Sequence, residues 1–410
     1  MAARAQEPEQ TRGERLPSGF WWWAAATAVS GLGTGVGRLA ISWSATGLGA
    51  RTAGWVSSFT TLPTIVLVLL GGALGDRIGQ RLVLTLTTSA SILQYLTFLI
   101  LLHLHVPLLP LLLINALVLG SIDGFATPST AVYARLLVSA EDVPRAVSIT
   151  NTRGLVVGIL APTIGGVIVS RWSLAGALWV DLVSFIGVLA VLILIRPARS
   201  SGATHGSGGH IGGDVLEGIT HLAHEKCLIE LLLSLILVSA GMLTVNSLAL
   251  PLLVRSRHWR ASSLGMLSTA WSAGSLIVSV LISARGPARR PVVLMVAGVV
   301  LSACSCFALM VTPTVWAGIL VMACMGSGVV LFTGHLGPAF IFLTPEGEMS
   351  RFSSVLHLAQ VLPVAVAAPV IGTIAQRFSV QEALLTMGLL VLGAGVLLCT
   401  RKAVRDIVLP

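Results

Sequence analysis

Long apolar runs alternate with short polar segments along the chain. The run from Leu82 to Leu102, for example, contains no charged residue and exceeds the roughly 18 residues that indicate a membrane-spanning helix. When spans of about 20 residues are fitted to the pattern, it predicts twelve helices. Their predicted ranges are 20–47, 53–75, 82–103, 107–136, 147–169, 174–195, 227–253, 261–284, 291–311, 315–342, 352–375 and 382–400.

One longer polar segment separates the sixth predicted helix from the seventh. It is rich in glycine and serine, which is typical of a flexible linker. We therefore expect an all-α membrane protein in which twelve transmembrane helices form two six-helix bundles. The expected parts are a disordered cytoplasmic tail at 1–19, an N-terminal bundle at 20–197, the linker at 198–225, a C-terminal bundle at 226–402 and a second tail at 403–410.

A short internal repeat supports two related halves. Ala161-Pro162-Thr-Ile-Gly165 in the fifth helix recurs as Ala368-Pro369-Val-Ile-Gly372 in the eleventh, about 207 residues later. Two six-helix halves of common origin, joined by a polar linker, are a design of transporters in which a binding site lies between two rocking bundles.

Composition agrees with a membrane protein and excludes an ordinary soluble one. Of the 410 residues, 55% are hydrophobic and 10% are charged, and the mean hydropathy is +0.93. A soluble protein carries about 25% charged residues. The apolar surplus can be placed against lipid but not inside a soluble core.

The net charge of +9 and the pI near 10.3 could indicate nucleic-acid binding. The basic residues are scattered between apolar helices, however, so we expect no nucleic-acid partner. Seventeen of them fall on one side of the twelve predicted spans and six on the other. The positive-inside rule then places both termini in the cytoplasm. The outer cluster of Arg255, Arg257 and Arg260 is an exception to this rule.

Motifs of catalysis and metal binding are missing from the sequence. There is no Walker loop, hydrolase elbow, HExxH or kinase motif, so we predict neither an enzyme nor a cofactor. The five cysteines form no CxxC pair and indicate neither a disulfide framework nor a zinc site. Four linker histidines could bind a metal, but their loose spacing favours a solvated linker, and we predict no metal site. They are His205, His210, His221 and His224.

The loop between the second and third predicted helices reads Gly72-Ala-Leu-Gly-Asp76-Arg77-Ile-Gly79-Gln-Arg81. It resembles the Gly-x-Leu-x-Asp-Arg-x-Gly-x-Arg loop of the major facilitator superfamily, although Gln80 stands where a basic residue is usual. Glycine allows a tight turn there. The resemblance implies a latch on the cytoplasmic side, with Asp76 at the amino terminus of the eleventh helix and the arginines paired with Glu141 or Asp142. Alternatively, the arginines are topology signals alone.

The fifth predicted helix contains Gly158-Ile-Leu-Ala161-Pro162-Thr-Ile-Gly165-Gly166. It resembles the Gly-x-x-x-Gly-Pro-x-x-Gly-Gly element of exporters in that superfamily, which its importers generally lack. Ala161 replaces one glycine but is still small. Small residues allow close helix contact and proline bends the helix. This resemblance implies export.

Shorter stretches resemble one exporter branch, that of the bacterial macrolide-efflux proteins and the enterobactin exporter. They are Gly31-Leu-Gly33, Arg38-Leu-Ala-Ile, Gly124-Phe-Ala-Thr-Pro128, Leu136-Leu-Val138 and Asp181-Leu-Val-Ser-Phe185. The superfamily resemblance covers nearly the whole chain, whereas the branch resemblance depends on these stretches.

Few ionisable residues lie within the predicted spans, where each costs about 2.5–3.5 kcal/mol at a helix centre. Asp123 lies near the middle of the fourth helix and Arg38 beyond the middle of the first. The resemblance implies that helices one, four, seven and ten line a central cavity, so these two side chains can face each other. Asp123 is the leading candidate for proton coupling, and the alternative is a structural ion pair.

Other polar side chains inside the spans are secondary candidates. His335 in the tenth helix could titrate with the driving proton, although a lone membrane histidine is more often a packing residue. Asn115 and Asn246 are candidates for the cavity wall. Asp181 lies toward the outer third of the sixth helix, so we expect a hydrated structural side chain near the interface.

These features predict a monomeric secondary transporter in the inner membrane of a bacterium. We expect it to export a hydrophobic or amphipathic small molecule, such as a drug, a secondary metabolite or a siderophore, by proton antiport and alternating access. A cavity with few charges suits such a solute. Two alternatives stay open: proton-coupled uptake of a sugar or metabolite, and a membrane sensor or partner subunit that transports nothing. The loop 285–290, which has no acidic residue, is compatible with the sensor.

Overall fold

Helices follow one another along the computed structural model, which describes residues 16–195, 226–286, 288–344 and 349–400. We number them α1 to α12 in chain order. They are α1 Ser18–Gly47, α2 Ala50–Ile78, α3 Gln80–His103, α4 Leu108–Leu136, α5 and α6 as the two parts of Val143–Leu194, α7 from Lys226–Val238 through two π-helical turns to Leu250–Ser256, α8 Ala261–Arg285, α9 Pro291–Val311, α10 Val315–Leu343, α11 Met349–Arg377 and α12 Val380–Thr400.

Short breaks in the backbone separate neighbouring helices. Ser173 has φ 59° and ψ −165° and divides Val143–Leu194 into α5 at 143–172 and α6 at 174–194. Gly79 has φ 92° between α2 and α3, a conformation that a residue with a side chain rarely adopts. The loop sequence predicted a tight turn at Gly79. Gly286, with φ 76°, ends α8 in a similar way.

Nine helices among the described residues are long and apolar enough to cross a membrane, with Val143–Leu194 counted once, and the bent helix α2 would make a tenth. The chain is therefore an all-helical, multi-pass membrane protein. Each predicted range lies on a helix, with ends that differ by about one helical turn at most. α1 already begins at Ser18, so the predicted tail ends slightly too late. The predicted linker and most of both predicted tails lie outside the described residues.

We call α1–α6 the N-half and α7–α12 the C-half. Within the N-half, α1 packs against α5 and α6, and α2 against α4. Within the C-half, α10 packs against α8 and α9, and α9 also against α12. Two helix pairs, α2 with α11 and α5 with α8, make the main contacts between the halves. We call the side on which α1 begins the terminal side, and the opposite side, on which α1 and α7 end, the far side.

Apolar side chains form both the interior and the outer surface. One buried cluster runs through both halves, while a smaller one, which includes Phe20, Trp23 and Tyr133, lies in the N-half at the terminal side. Many large apolar side chains, such as Leu93 and Leu320, stay exposed on outward helix faces. Such a surface suits contact with lipid, because only a membrane removes it from water.

Candidate functional site

A cavity of about 580 Å³ lies between the two halves. Its size is within the range of about 300–1,000 Å³ that is typical of small-molecule sites. Hydroxyl groups from α2 and α8 and apolar side chains from α1, α4, α7 and α8 form much of the wall. Examples are Thr60, Thr61, Ser268, Leu39, Leu119, Leu243 and Leu264. The wall therefore offers apolar contact and hydrogen bonds, with few charges.

The structure brings Arg38 of α1 and Asp123 of α4 together in this wall. The distance from Arg38 Nη2 to Asp123 Oδ2 is 2.5 Å, and the exposed fractions of the two side chains are 56% and 27%. Because both face the cavity, a bound solute or a proton can reach the pair. The opposite charges compensate each other where water is scarce. This ion pair is the most polar part of the cavity.

Both predicted asparagines also line the cavity. Asn115 of α4 is buried, and its Oδ1 accepts a hydrogen bond of 2.6 Å from Gln94 Nε2 of α3. Asn246 lies in the second π-helical turn of α7, and its Oδ1 accepts one of 3.4 Å from Ser268 Oγ. A π-helical turn is rare and is frequently found at functional sites. The sequence pattern of α7 did not predict it.

A second cavity, of about 430 Å³, lies within the N-half toward the terminal side. Arg38 and Asp123 line both cavities, so the ion pair lies where the two meet. Arg153 of α5 lies in the wall of the second cavity, where it hydrogen-bonds Thr27 and its guanidinium lies 5.6 Å from the centre of the Trp23 ring. Two cationic groups thus face this cavity.

The prediction that the Asp181 side chain is hydrated was wrong. Its side chain is buried in the N-half, where Thr34 Oγ1 donates a hydrogen bond of 3.2 Å to Oδ1. α1 approaches α6 so closely because Gly33 and Gly37 have no side chains. A Cβ on Gly33 would lie 2.9 Å from Asp181 Oδ1, and one on Gly37 would lie 2.8 Å from Oδ2.

His335 of α10 is also buried, but it lies outside the walls of both cavities. Its Nδ1 lies 2.9 Å from the carbonyl oxygen of Leu331 on the same helix. The structure therefore does not bring His335 to the Arg38–Asp123 pair. The packing alternative agrees with this position.

The predicted ion pairs of the α2–α3 loop are not present among the described residues. Arg81 instead donates hydrogen bonds of 2.8 and 2.9 Å to the carbonyl oxygens of Leu192 and Ile193 at the end of α6. Its guanidinium therefore caps a helix of the same half, where the free carbonyls attract a cation. Asp142 accepts a hydrogen bond from Ser139 and is engaged locally.

The other loop residues also stay within the N-half. Asp76 Oδ1 accepts a hydrogen bond of 3.2 Å from Gln80 Nε2, one turn further along the chain. Arg77 is exposed, and Gly72 lies in α2 beside Pro128 of α4. The side chains of 349–354, near which Asp76 was expected, are outside the described part. In this structure the described loop residues do not latch the halves together.

The helix-five element, by contrast, forms contacts between the halves. Proline has no amide hydrogen, so Pro162 leaves the carbonyl of Gly158, four residues earlier, without its helical partner. Ser272 Oγ of α8 donates to that carbonyl oxygen at 3.0 Å. Gly166 packs against the backbone of α8 near Gly265, as small residues at a helix crossing allow. Gly165 faces α1 instead, where a Cβ would lie 3.2 Å from the Cα of Val36.

The repeated element in α11 makes the corresponding contact with α2. Pro369 frees the carbonyl of Ala365, and Ser58 Oγ donates to that oxygen at 2.5 Å. A third serine from α1, Ser42, donates at 3.2 Å to the carbonyl of Ser247 in α7, four residues before a proline. In each case a serine of one half binds a backbone oxygen of the other. Sequence reasoning missed these serines, although the prolines mark the free carbonyls.

Arg255, whose position outside the positive-inside rule had no explanation, also joins the halves. Its guanidinium lies 4.3 Å from the centre of the Trp43 ring of α1, and Nη2 donates to the Trp43 carbonyl at 2.8 Å. Arg257 differs, because its Nη2 donates at 2.7 Å to the carbonyl of Met310 within the C-half. Arg255 thus binds a ring face and a helix end, and Arg257 binds a helix end.

Comparison with known families gives one match. The profile of the Major Facilitator Superfamily matches residues 23–363, which is most of the chain. A comparison with curated proteins gives no match. The family match therefore carries the assignment, together with the fold.

Several solved transporter structures are similar in fold. The nucleoside transporter NupG has a TM-score of 0.75 at 12% identity, with 94% of this chain and 100% of that chain covered. A bacterial homologue of the human lysosomal transporter Spinster, inward-facing and unoccupied, has a TM-score of 0.74 at 12% identity, with 95% of this chain and 98% of that chain covered. Inward-open XylE, the xylose transporter from E. coli, has a TM-score of 0.69 at 14% identity, with 93% of this chain and 96% of that chain covered. At these identities the likeness extends to the fold and not to the substrate.

Proposed function

Because the chain belongs to the Major Facilitator Superfamily, we propose that it is a secondary transporter that exports a hydrophobic or amphipathic small molecule in exchange for protons. The Arg38–Asp123 pair, exposed to a cavity between two helical halves, is the observation that carries this proposal. An ion pair inside a membrane protein is expensive to maintain and marks a transport pathway. A drug, a secondary metabolite or a siderophore has suitable chemistry.

The cavity wall supports an amphipathic substrate. Apolar side chains such as Leu39 and Leu264 can contact a hydrophobic body, while Asn115 and Asn246 can bind its polar groups. Few charges line the cavity, which disfavours a strongly ionic solute because its desolvation would go uncompensated. The exporter-type element around Pro162 lies at the contact between the halves and favours export over uptake.

Asp123 is the proposed coupling group. When Asp123 binds a proton, it loses the charge that holds Arg38, and the guanidinium becomes free to bind substrate or another acceptor. Proton and substrate then compete for one ion pair, which links the inward flow of one to the outward flow of the other. His335, buried outside the cavity walls, has no contact with this pair that would give it a share in the coupling.

Alternating access follows from the contacts between the halves. We propose that all twelve helices span the inner membrane of a bacterium as two six-helix bundles of one monomer, with both termini in the cytoplasm. The far side is then extracytoplasmic. Hydrogen bonds join the halves from the middle of the helices to the far side, for example from Ser58 to Ala365 and from Ala50 N to Gln376 Oε1 at 2.9 Å. This pattern supports an inward-facing state, the state of the Spinster homologue and XylE structures.

Proton-driven flux into inverted membrane vesicles tests this function. Lipophilic dyes and antibiotics are offered to vesicles that contain wild type, Asp123→Asn or Asp142→Asn, a matched control whose carboxylate lies in a loop and accepts a hydrogen bond from Ser139. We expect accumulation that depends on the proton gradient in wild type and in Asp142→Asn. Accumulation in vesicles with Asp123→Asn should be at least tenfold lower, because asparagine cannot exchange a proton.

Three other outcomes separate the alternatives. Equal accumulation in Asp123→Asn and wild type would make the pair structural. Accumulation by right-side-out vesicles with an acidic exterior, and none by inverted vesicles, would show uptake. Binding of a compound without flux in either orientation would favour a sensor or partner subunit.

A further inference from the structure

Asp181 is a buried carboxylate without a cationic partner. Its side chain is fully buried between α1, α3 and α6, and no arginine, lysine or histidine among the described residues forms an ion pair with it. An isolated carboxylate in an apolar interior is so poorly solvated that it becomes neutral instead. The contrast with Asp123, which has Arg38 at 2.5 Å, is clear.

The two carboxyl oxygens of Asp181 have different contacts. Oδ1 accepts a hydrogen bond from Thr34 Oγ1 at 3.2 Å and lies 3.3 Å from Ser184 Oγ, whose shorter bond of 2.6 Å goes to the Asp181 carbonyl. Oδ2 has no hydrogen-bond partner, and neither does the buried hydroxyl of Tyr95 of α3. Both atoms lie beside Gly37, at 2.8 and 3.6 Å from where its Cβ would be. A proton on Oδ2 could be donated to that hydroxyl oxygen.

One residue that binds Asp181 also lines the terminal-side cavity. Thr34, which binds Asp181 Oδ1, lines the terminal-side cavity together with Arg38 and Asp123. Arg38 follows Gly37, and a Cβ on Gly37 would lie 2.8 Å from Asp181 Oδ2, so the Arg38–Asp123 pair begins one residue from the Asp181 site. The polar groups beside Asp181 are Thr34 from α1, Tyr95 from α3 and Ser184 from its own helix, and Arg38 is the neighbouring charged residue of α1.

We propose that Asp181 is a second proton-binding site, which takes up and releases a proton through the terminal-side cavity and is coupled to the Arg38–Asp123 pair by Arg38. When Asp123 releases Arg38, the guanidinium can compensate an ionised Asp181, so that one carboxylate binds a proton as the other loses it. The coupling role depends on the proposed antiport. The proton site does not, and it can be measured without a substrate.

Infrared spectroscopy of the purified full chain in detergent tests the site. The carbonyl stretch of a protonated carboxylic acid is followed as the pH is raised. We expect wild type to show such a band that disappears on titration, and Asp181→Asn to lack it. The loop control Asp142→Asn should keep the band unchanged, whereas Asp123→Asn, which frees Arg38, should make it disappear at a lower pH than in wild type. A band that survives in Asp181→Asn, or a wild type with no titrating band, would overturn the proposal.

A second pair of variants keeps the carboxylate in place, in case Asp181→Asn does not fold. Tyr95→Phe removes the hydroxyl beside Oδ2, and Thr34→Val removes the hydrogen bond to Oδ1 at similar volume. Each should shift the position and the titration midpoint of the band without abolishing it. A band unmoved by both substitutions would place the titrating acid elsewhere. If the band behaves as expected but inverted vesicles show no flux, the site stands and the antiport fails.

Discussion

Arg38, Asp123 and Arg255 are charged side chains inside the helices that are compensated in different ways. Arg38 and Asp123 compensate each other across the cavity. Arg255 has no carboxylate partner among the described residues, but it stacks on the Trp43 ring and binds a backbone carbonyl. Cation–π contacts and hydrogen bonds of charged groups each contribute about 1–2 kcal/mol. Arg255 therefore helps to hold the far side closed.

Removing this contact should open the far side more often. In a background without the five native cysteines, a single cysteine replaces Ser57 in the cavity wall. An impermeant thiol reagent is added from the far side. We expect Arg255→Gln to raise the rate at which it modifies the cysteine at position 57 about tenfold, since the closed far side loses about 1.4 kcal/mol of stabilisation. Arg257→Gln is the matched control, because Arg257 binds Met310 within the C-half. Equal rates in the two variants would contradict the role of Arg255.

The pairing of charges could be predicted only where the family resemblance implied which helices line a cavity. Arg38 and Asp123 were assigned to helices that face each other, and the structure places them in contact. The burial of Asp181 was missed, because position within a span predicts depth in the membrane but not contact with another helix. A signal was present, since Gly33 and Gly37 lie on one face of α1, as small residues at a helix crossing do.

Prolines in α5 and α11 free two of the backbone carbonyls at which the halves bind each other. The free carbonyls of Gly158 and Ala365 accept hydroxyl groups from α8 and α2. The bond to Ala365 is buried, and a buried carbonyl without a partner costs about 1–3 kcal/mol, so these bonds, and that one above all, stabilise the closed far side while they last. They need not last, because the carbonyls can be hydrated when the halves separate there.

Loss of either hydroxyl should favour the open far side. For Ser272→Ala and for Ser58→Ala we expect about a fivefold faster modification of the cysteine at position 57 from the far side, since a hydrogen bond contributes about 1 kcal/mol. Ser170→Ala serves as control, because Ser170 Oγ binds the carbonyl of Gly166 within α5. A rate that Ser272→Ala and Ser58→Ala leave unchanged would show that these bonds do not hold the halves.

Helix positions were predictable because the apolar pattern of a membrane span is long and strong. The contacts that each helix makes with the others were harder to predict. The latch loop was expected to bind across the halves or to the α4–α5 loop, yet Arg81 caps α6. The π-helical turns of α7 have no signal in hydropathy, because they change the hydrogen-bond register and not the composition.

The two halves together determine which side of the cavity is closed. Contacts between α2 and α11 and between α5 and α8 run from the middle to the far side, and the terminal side of the N-half has its own buried cluster. In the proposed cycle the halves rotate about the cavity to close the terminal side, which breaks the serine and Arg255 contacts. The latch loop, engaged within the N-half here, is then free to meet the C-half.

Distances between α5 and α8, measured at both ends of the two helices, test alternating access most directly. Spin labels replace the exposed pair Arg171 and Arg260 on the far side, or Arg145 and Arg285 on the terminal side, in the reconstituted protein. We predict two populations whose proportions change with pH, in which a longer far-side distance accompanies a shorter terminal-side distance. Asp123→Asn should fix one population at all pH values. A single distance at each end under all conditions, or distances that lengthen together, would contradict alternating access about this cavity.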